Sequence, residues 1–158
     1  MSAMVKDYLD RVVAAYMDAV DFTESEVLAD MMPDEDTPFY GFDSSMDDEA
    51  REDCIQFLDN CLVANLNFLK FNPGPEWPMG YGPEQIGIDF WLTRNRHGAG
   101  FWDRGLGDIG EKLTDIAHQM GERSVYVGED GRGALGLVTG KIPMRFRRGL
   151  CSLSNLRT

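Results

Sequence analysis

The amino-acid sequence predicts an α+β domain. Two N-terminal helices pack on an antiparallel sheet of about four strands, and a third helix lies between two β-hairpins, in the order ααββαββ. Three observations predict it. Apolar residues recur at helical spacing in two stretches of the N-terminal half. Two later segments, 88–104 and 124–138, set β-branched and aromatic residues on either side of turn-forming residues. The chain of 158 residues is 43% hydrophobic, enough for one domain with a buried core.

Taken in order, Val5, Leu9, Val12, Val13, Tyr16 and Val20 share one face of a helix over residues 4–21. Residues 22–49 contain Pro33, Pro38 and much of the acidic excess, which predicts a long loop with a short helical turn at Glu24–Met31. Ser45 with Asp48 resembles a capping box, so a second helix starts near Ser44–Asp48. Its apolar face runs to about Phe71 through Ala50, Cys54, Phe57, Leu58, Cys61 and Leu62. The following stretch holds four prolines and excludes regular structure; Trp77 and Tyr81 within it read as lids over the core. A third helix spans about Gly107–Met120, with Ile109, Leu113, Ile116, Ala117 and Met120 on one face and Gly121 as its C-cap. A hairpin turning at Asp130-Gly131, with Glu129 opposite Arg132, follows. The chain thus divides into a helical acidic part (1–71), a Pro/Gly connector (72–85), a hairpin–helix–hairpin unit (86–140) and a basic tail (141–158).

The most distinctive run is IDFWLTRNRHGAGFWDR, residues 88–104. A four-residue loop at Asn95-Arg96-His97-Gly98 would set Leu92 opposite Phe101, Trp91 opposite Trp102 and Asp89 opposite Arg104. One register then yields an apolar, an aromatic and an ionic pair, each contributing ~0.2–1 kcal/mol. Gly98 would supply a positive φ, and Gly100 would leave room opposite Thr93. Arg94, Arg96 and His97 would gather at the tip, with Asp103 and Arg104 below.

Charge is lopsided. Residues 1–60 carry 17 Asp/Glu and 3 Lys/Arg, a net of −14; residues 61–158 carry 10 and 12, a net of +2, which together give the overall −12. The plain reading is a solubilising face. The sharper one is a surface, including Asp34, Glu35, Asp36, Asp43, Asp47, Asp48 and Glu49, that imitates nucleic acid or docks on a basic partner. Duplex DNA would be repelled by it. Neither a membrane helix nor a signal peptide is expected, since charges interrupt every apolar run. Cys54 and Cys61, seven apart on one helix face, are too far apart along it to bridge and read as small buried hydrophobes. With no metal-ligand spacing and no CxxC, a reducing cytosol fits, and neither metal nor cofactor is expected.

No motif names a reaction, and the chain reads as a binding protein more readily than as an enzyme. His97 could act as a general base with Asp103 and Arg104 in a small hydrolase, but lacks an adjacent nucleophile. A metal held by His97 and His118 is a further alternative. Trp91 and Trp102 could instead form a stacking platform that, with Arg94, Arg96, His97, Gly100 and Arg104, holds a nucleotide, single strand or other flat ligand.

The run DFWLTRNRHGAGFWDRGLG, followed by EKLTDIA, GE and VYVGEDG, resembles a family of small proteins from bacteriophages and bacterial mobile elements. The likeness covers roughly residues 80–131. It rests on Asp89, Phe90, Trp91, Leu92, Thr93, Arg94, Asn95, His97, Gly98, Gly100, Phe101, Trp102, Asp103 and Arg104. The resemblance implies an origin and no mechanism. Combined with the charge asymmetry, it leads to the expectation of an accessory protein acting in the cytoplasm of a bacterial host. Its acidic half would bind and modulate a host protein with a basic surface, such as a defence or DNA-handling enzyme. A second copy of the chain is a further candidate partner.

Overall fold

The computed structural model describes residues 2–30, 41–42, 45–66, 80–127, 132–137 and 151–152. Helix α1 spans Ala3–Asp30, α2 Ser45–Val63, α3 Pro83–Arg94 and α4 Asp108–Gln119, with a turn of 3-10 helix at Phe101–Asp103. Strands β1 (Arg123–Val127), β2 (Gly133–Leu137) and the two-residue β3 (Cys151–Ser152) form an antiparallel sheet in the order β2-β1-β3. The described residues are therefore mostly helical, and the α+β arrangement with about four strands is corrected. No described helix is long and apolar enough to cross a membrane.

The largest correction falls on residues 88–104. The segment expected to be the first strand is the second half of α3, and the expected turn is that helix's C-terminus. Pro83 occupies the first turn of α3, where its missing N–H costs nothing. The Gln85 side chain accepts from the Gly82 N–H at 3.1 Å. At the other end, Arg96 N–H donates to the Thr93 carbonyl and His97 N–H to the Leu92 carbonyl, with Arg96 at φ 56°. That pair of bonds is a Schellman ending, whose left-handed position is usually glycine. Arg96, and not Gly98, therefore carries the positive φ. Arg96→Gly is expected to stabilise the fold by about 0.5–1 kcal/mol, read as a higher urea midpoint at unchanged slope.

Helix α1 continues to Asp30, nine residues past the predicted end at 21, because Leu28 rejoins the core. Helix α2 stops at Val63, short of Phe71, in a second Schellman ending with Asn65 at φ 62°. Helix α4 lies where predicted; its C-cap is Met120, and the expected C-cap Gly121 follows at φ 76°. In the β1–β2 pair, Val127 lies opposite Gly133. A two-residue turn with Glu129 opposite Arg132 would instead set Val127 opposite Ala134, so that register is corrected by one residue. The Asp130-Gly131 turn itself, Trp77, residues 31–40 and 43–44, and the basic tail other than 151–152 lie outside the described residues.

An aromatic column runs through the core. Phe57 of α2 stacks on Phe90 at 4.2 Å and on Phe101 at 5.6 Å, Phe90 meets Tyr16 at 5.4 Å, and Tyr16 meets Trp91 edge-on at 5.3 Å. Tyr81, expected as a lid, is fully buried at one end beside Phe101. Cys54 and Cys61 are free and buried on the same side of α2, as their spacing implied. Burial pushes the Cys61 thiol up to about 12 and the Cys54 thiol also above the usual range. A thiol held protonated in the fold is unreactive, and it lowers stability as pH rises past the ordinary thiol pKa. In a Cys151→Ser background, neither cysteine should react with a thiol reagent at about pH 8 until denaturant is added.

Candidate functional site

The residues singled out in the sequence fall into two buried polar clusters and an exposed rim. The first cluster centres on Asp53, a buried carboxylate on α2. Arg94, at the end of α3 and only 1% exposed, donates to it at 2.7 Å. Arg123 of β1 adds two bonds, at 2.8 and 2.6 Å. Arg94 also donates to Tyr16 Oη at 3.1 Å and to the Gly121 and Met120 carbonyls at 2.9 and 3.4 Å. These last are orphan carbonyls at the end of α4, where a cation is favoured by the helix dipole. The guanidinium lies 5.0 Å from the centre of the Phe90 ring. Two guanidiniums face one carboxylate, and the nearby Glu49 supplies a second negative charge close to Arg123. Burial holds the Tyr16 hydroxyl well above its ordinary pKa, so it stays a neutral partner. The cluster ties α1, α2, α3, α4 and β1 together.

The second cluster centres on Asp89 of α3. Arg104 grips its carboxylate with bonds of 3.1, 3.1 and 2.8 Å, and Tyr81 Oη donates to Oδ2. Burial pushes the Asp89 carboxyl up, while the Arg104 guanidinium pulls it down; Arg104 in turn is held protonated by that carboxylate. The three-bond geometry makes the contact an ion pair. The expected Asp89–Arg104 pairing thus exists, but between a helix and the loop after it. Asp103 Oδ1 accepts from the Gly100 N–H at 3.0 Å, and Thr93 Oγ1 accepts from the Phe101 N–H at 3.1 Å. A Cβ on Gly100 would lie 2.3 Å from Thr93 Oγ1. The room at Gly100 is therefore filled by the chain's own threonine.

The proposed cationic tip does not exist as such. Arg94 is in the core. Arg96 is exposed at a helix end, 3.7 Å from Glu122, and His97 is half-buried, 4.0 Å from Glu24. The tryptophan pair is also separated in environment: Trp91 is buried and donates to Thr23 Oγ1 at 2.9 Å, whereas Trp102 is 55% exposed. Of the side chains a stacking platform needs, Trp91, Arg94 and Arg104 are committed to holding the fold. Among the described residues no His, Cys, Asp and Glu side chains converge as a metal site.

No family model, curated protein or solved structure matches the chain. The expected acidic partner surface falls partly on α2 and partly outside the described residues. Asp47 and Asp48 are exposed in the first turn of α2, where they also complement its dipole; Glu49 is half-buried. Asp34, Glu35, Asp36 and Asp43 lie outside the described residues. Sequence reasoning passed over Asp18, Glu26, Asp30, Glu52 and Asp59, all exposed. Their helical spacing opposite the core positions was the available signal, but the acid-rich loop drew attention away from it.

Proposed function

We propose that this is a binding protein whose acidic helical face contacts a basic surface on a partner protein, as expected of a phage-type accessory protein. One observation carries the reading. Every arginine before residue 128 is held in an ion pair: Arg11 by Glu84, Arg51 by Asp10, Arg94 and Arg123 by Asp53, Arg96 by Glu122, Arg104 by Asp89. Asp18, Glu26, Asp30, Asp47, Asp48, Glu52 and Asp59 are exposed and pair with no described cation. Among the described residues, the negative charge on these helices is therefore not neutralised by an ion pair and faces solvent. Such a field speeds encounter with a basic partner and weakens with salt. The implied bacterial-host setting rests on the resemblance over roughly residues 80–131.

The test is affinity capture from bacterial lysate with mass spectrometry. A partner with a basic surface should be retained at low salt and released as salt rises. Recovery of no partner at low salt would sink the reading.

A further inference from the structure

Helix α2 turns Met46, Ala50, Asp53, Cys54, Phe57 and Cys61 inward. Its opposite face carries Asp48, Glu52, Ile55, Asp59 and Leu62, at spacings of four and three residues that keep them in one line. Ile55 is 37% exposed and Leu62 55% exposed, with Val63 beside them at 84%. Arg51, the cation nearest this line on the helix, is taken by Asp10. Two aliphatic side chains on an otherwise acidic helix face do not favour solubility, and neither belongs to the described core.

We propose that this face of α2 is a docking site for a basic amphipathic helix of a partner protein, an inference that rests on the binding role above. Three arguments select that occupant. Ile55 and Leu62 are seven residues apart, about 10 Å along the axis, which matches a heptad repeat on a facing helix. An extended strand repeats its side chains on one face every ~7 Å and would not meet both. The flanking carboxylates require lysines and arginines beside the partner's apolar line, and they exclude nucleic acid and anionic membrane surfaces. The contact is thus a helix laid along a helix, with aliphatic anchors at the centre and charge pairs at the rim.

The probe is a synthetic leucine/lysine heptad peptide, with a scrambled peptide of the same composition as control, titrated into the full chain by fluorescence anisotropy. The heptad peptide should bind at least about tenfold more tightly than the scrambled one. Ile55→Ser with Leu62→Ser should weaken it about tenfold without changing the melting temperature. Asp48→Asn, Glu52→Gln and Asp59→Asn together should do the same and flatten the salt dependence. The matched triple change Asp18→Asn, Glu26→Gln, Asp30→Asn on α1 should have less than about a threefold effect. Binding unaltered by the Ile55/Leu62 change, or lowered equally by the two triple changes, overturns this docking face while leaving the acidic-surface reading standing. Failure of wild type to bind either basic peptide at low salt overturns both.

Discussion

Asp53→Ala is expected to destabilise the protein by about 3–5 kcal/mol, a large fraction of the stability of a domain of this size. The substitution removes the shared acceptor of Arg94 and Arg123 and leaves both guanidiniums without their carboxylate in a site only 1% exposed at Arg94. The loss exceeds that of any exposed ion pair here, because water cannot replace the missing partner. The buried pair is not thereby a large net source of stability, since taking the charges out of water offsets most of their attraction. Adding Arg94→Met to Asp53→Ala should therefore lose less than the two single losses summed. Urea unfolding of the four members of the cycle measures this, and additive losses would mean that the two side chains do not communicate.

Gly87→Ala is expected to cost about 3 kcal/mol, against the ordinary trend. In an exposed helix the same change gains about 1 kcal/mol from backbone entropy. Here an added Cβ would lie 2.2 Å from the Val12 carbonyl oxygen, 2.8 Å from the Tyr16 amide nitrogen and 2.9 Å from the Ala15 Cβ. All three belong to the body of α1, so no side chain can swing aside. The helices must part, loosening Phe90 and Trp91 against Tyr16. Thermal unfolding decides the sign; a rise in melting temperature would mean that α1 and α3 are not in this contact.

Helices α1 and α4 announced themselves because each is buried on one side and wet on the other, so their apolar residues recur with the helical period. Helix α3 did not. Ile86, Gly87, Asp89, Phe90, Trp91, Thr93 and Arg94 are all buried, so the helix is covered nearly all round and shows no stripe. Its aromatic and β-branched content then mimicked a strand, and the Asn-Arg-His-Gly sequence mimicked a turn. The signal that favoured a helix was local: Pro83 at the start, followed by Glu84 and Gln85. The Asp89–Arg104 pairing and the closeness of Thr93 to Gly100 emerged from the wrong element. A helix that reverses through a short loop into a 3-10 turn brings the same residues together.

The polar residues of the motif were harder still. Sequence gives no sign of whether an arginine is a surface ligand or a buried tie, and Arg94 needed a partner, Asp53, that lies 41 positions away. Without that pairing in view, Arg94, Arg96 and His97 looked like a cationic patch. In the fold, Asp89, Arg94 and Arg104 of the motif hold elements in place, and among the described residues acidic side chains outside any ion pair lie on the outer faces of α1 and α2.

The most direct measurement of that division compares affinity capture by three forms of the full chain: wild type, Asp47→Asn/Asp48→Asn/Glu52→Gln, and His97→Ala/Trp102→Ala. The account predicts that the captured partner is lost or weakened about tenfold or more with the acid-neutralised form, and kept by the form altered at His97 and Trp102. Loss of the partner on changing His97 and Trp102, with capture intact after neutralising α2, would place the function in the motif and contradict it.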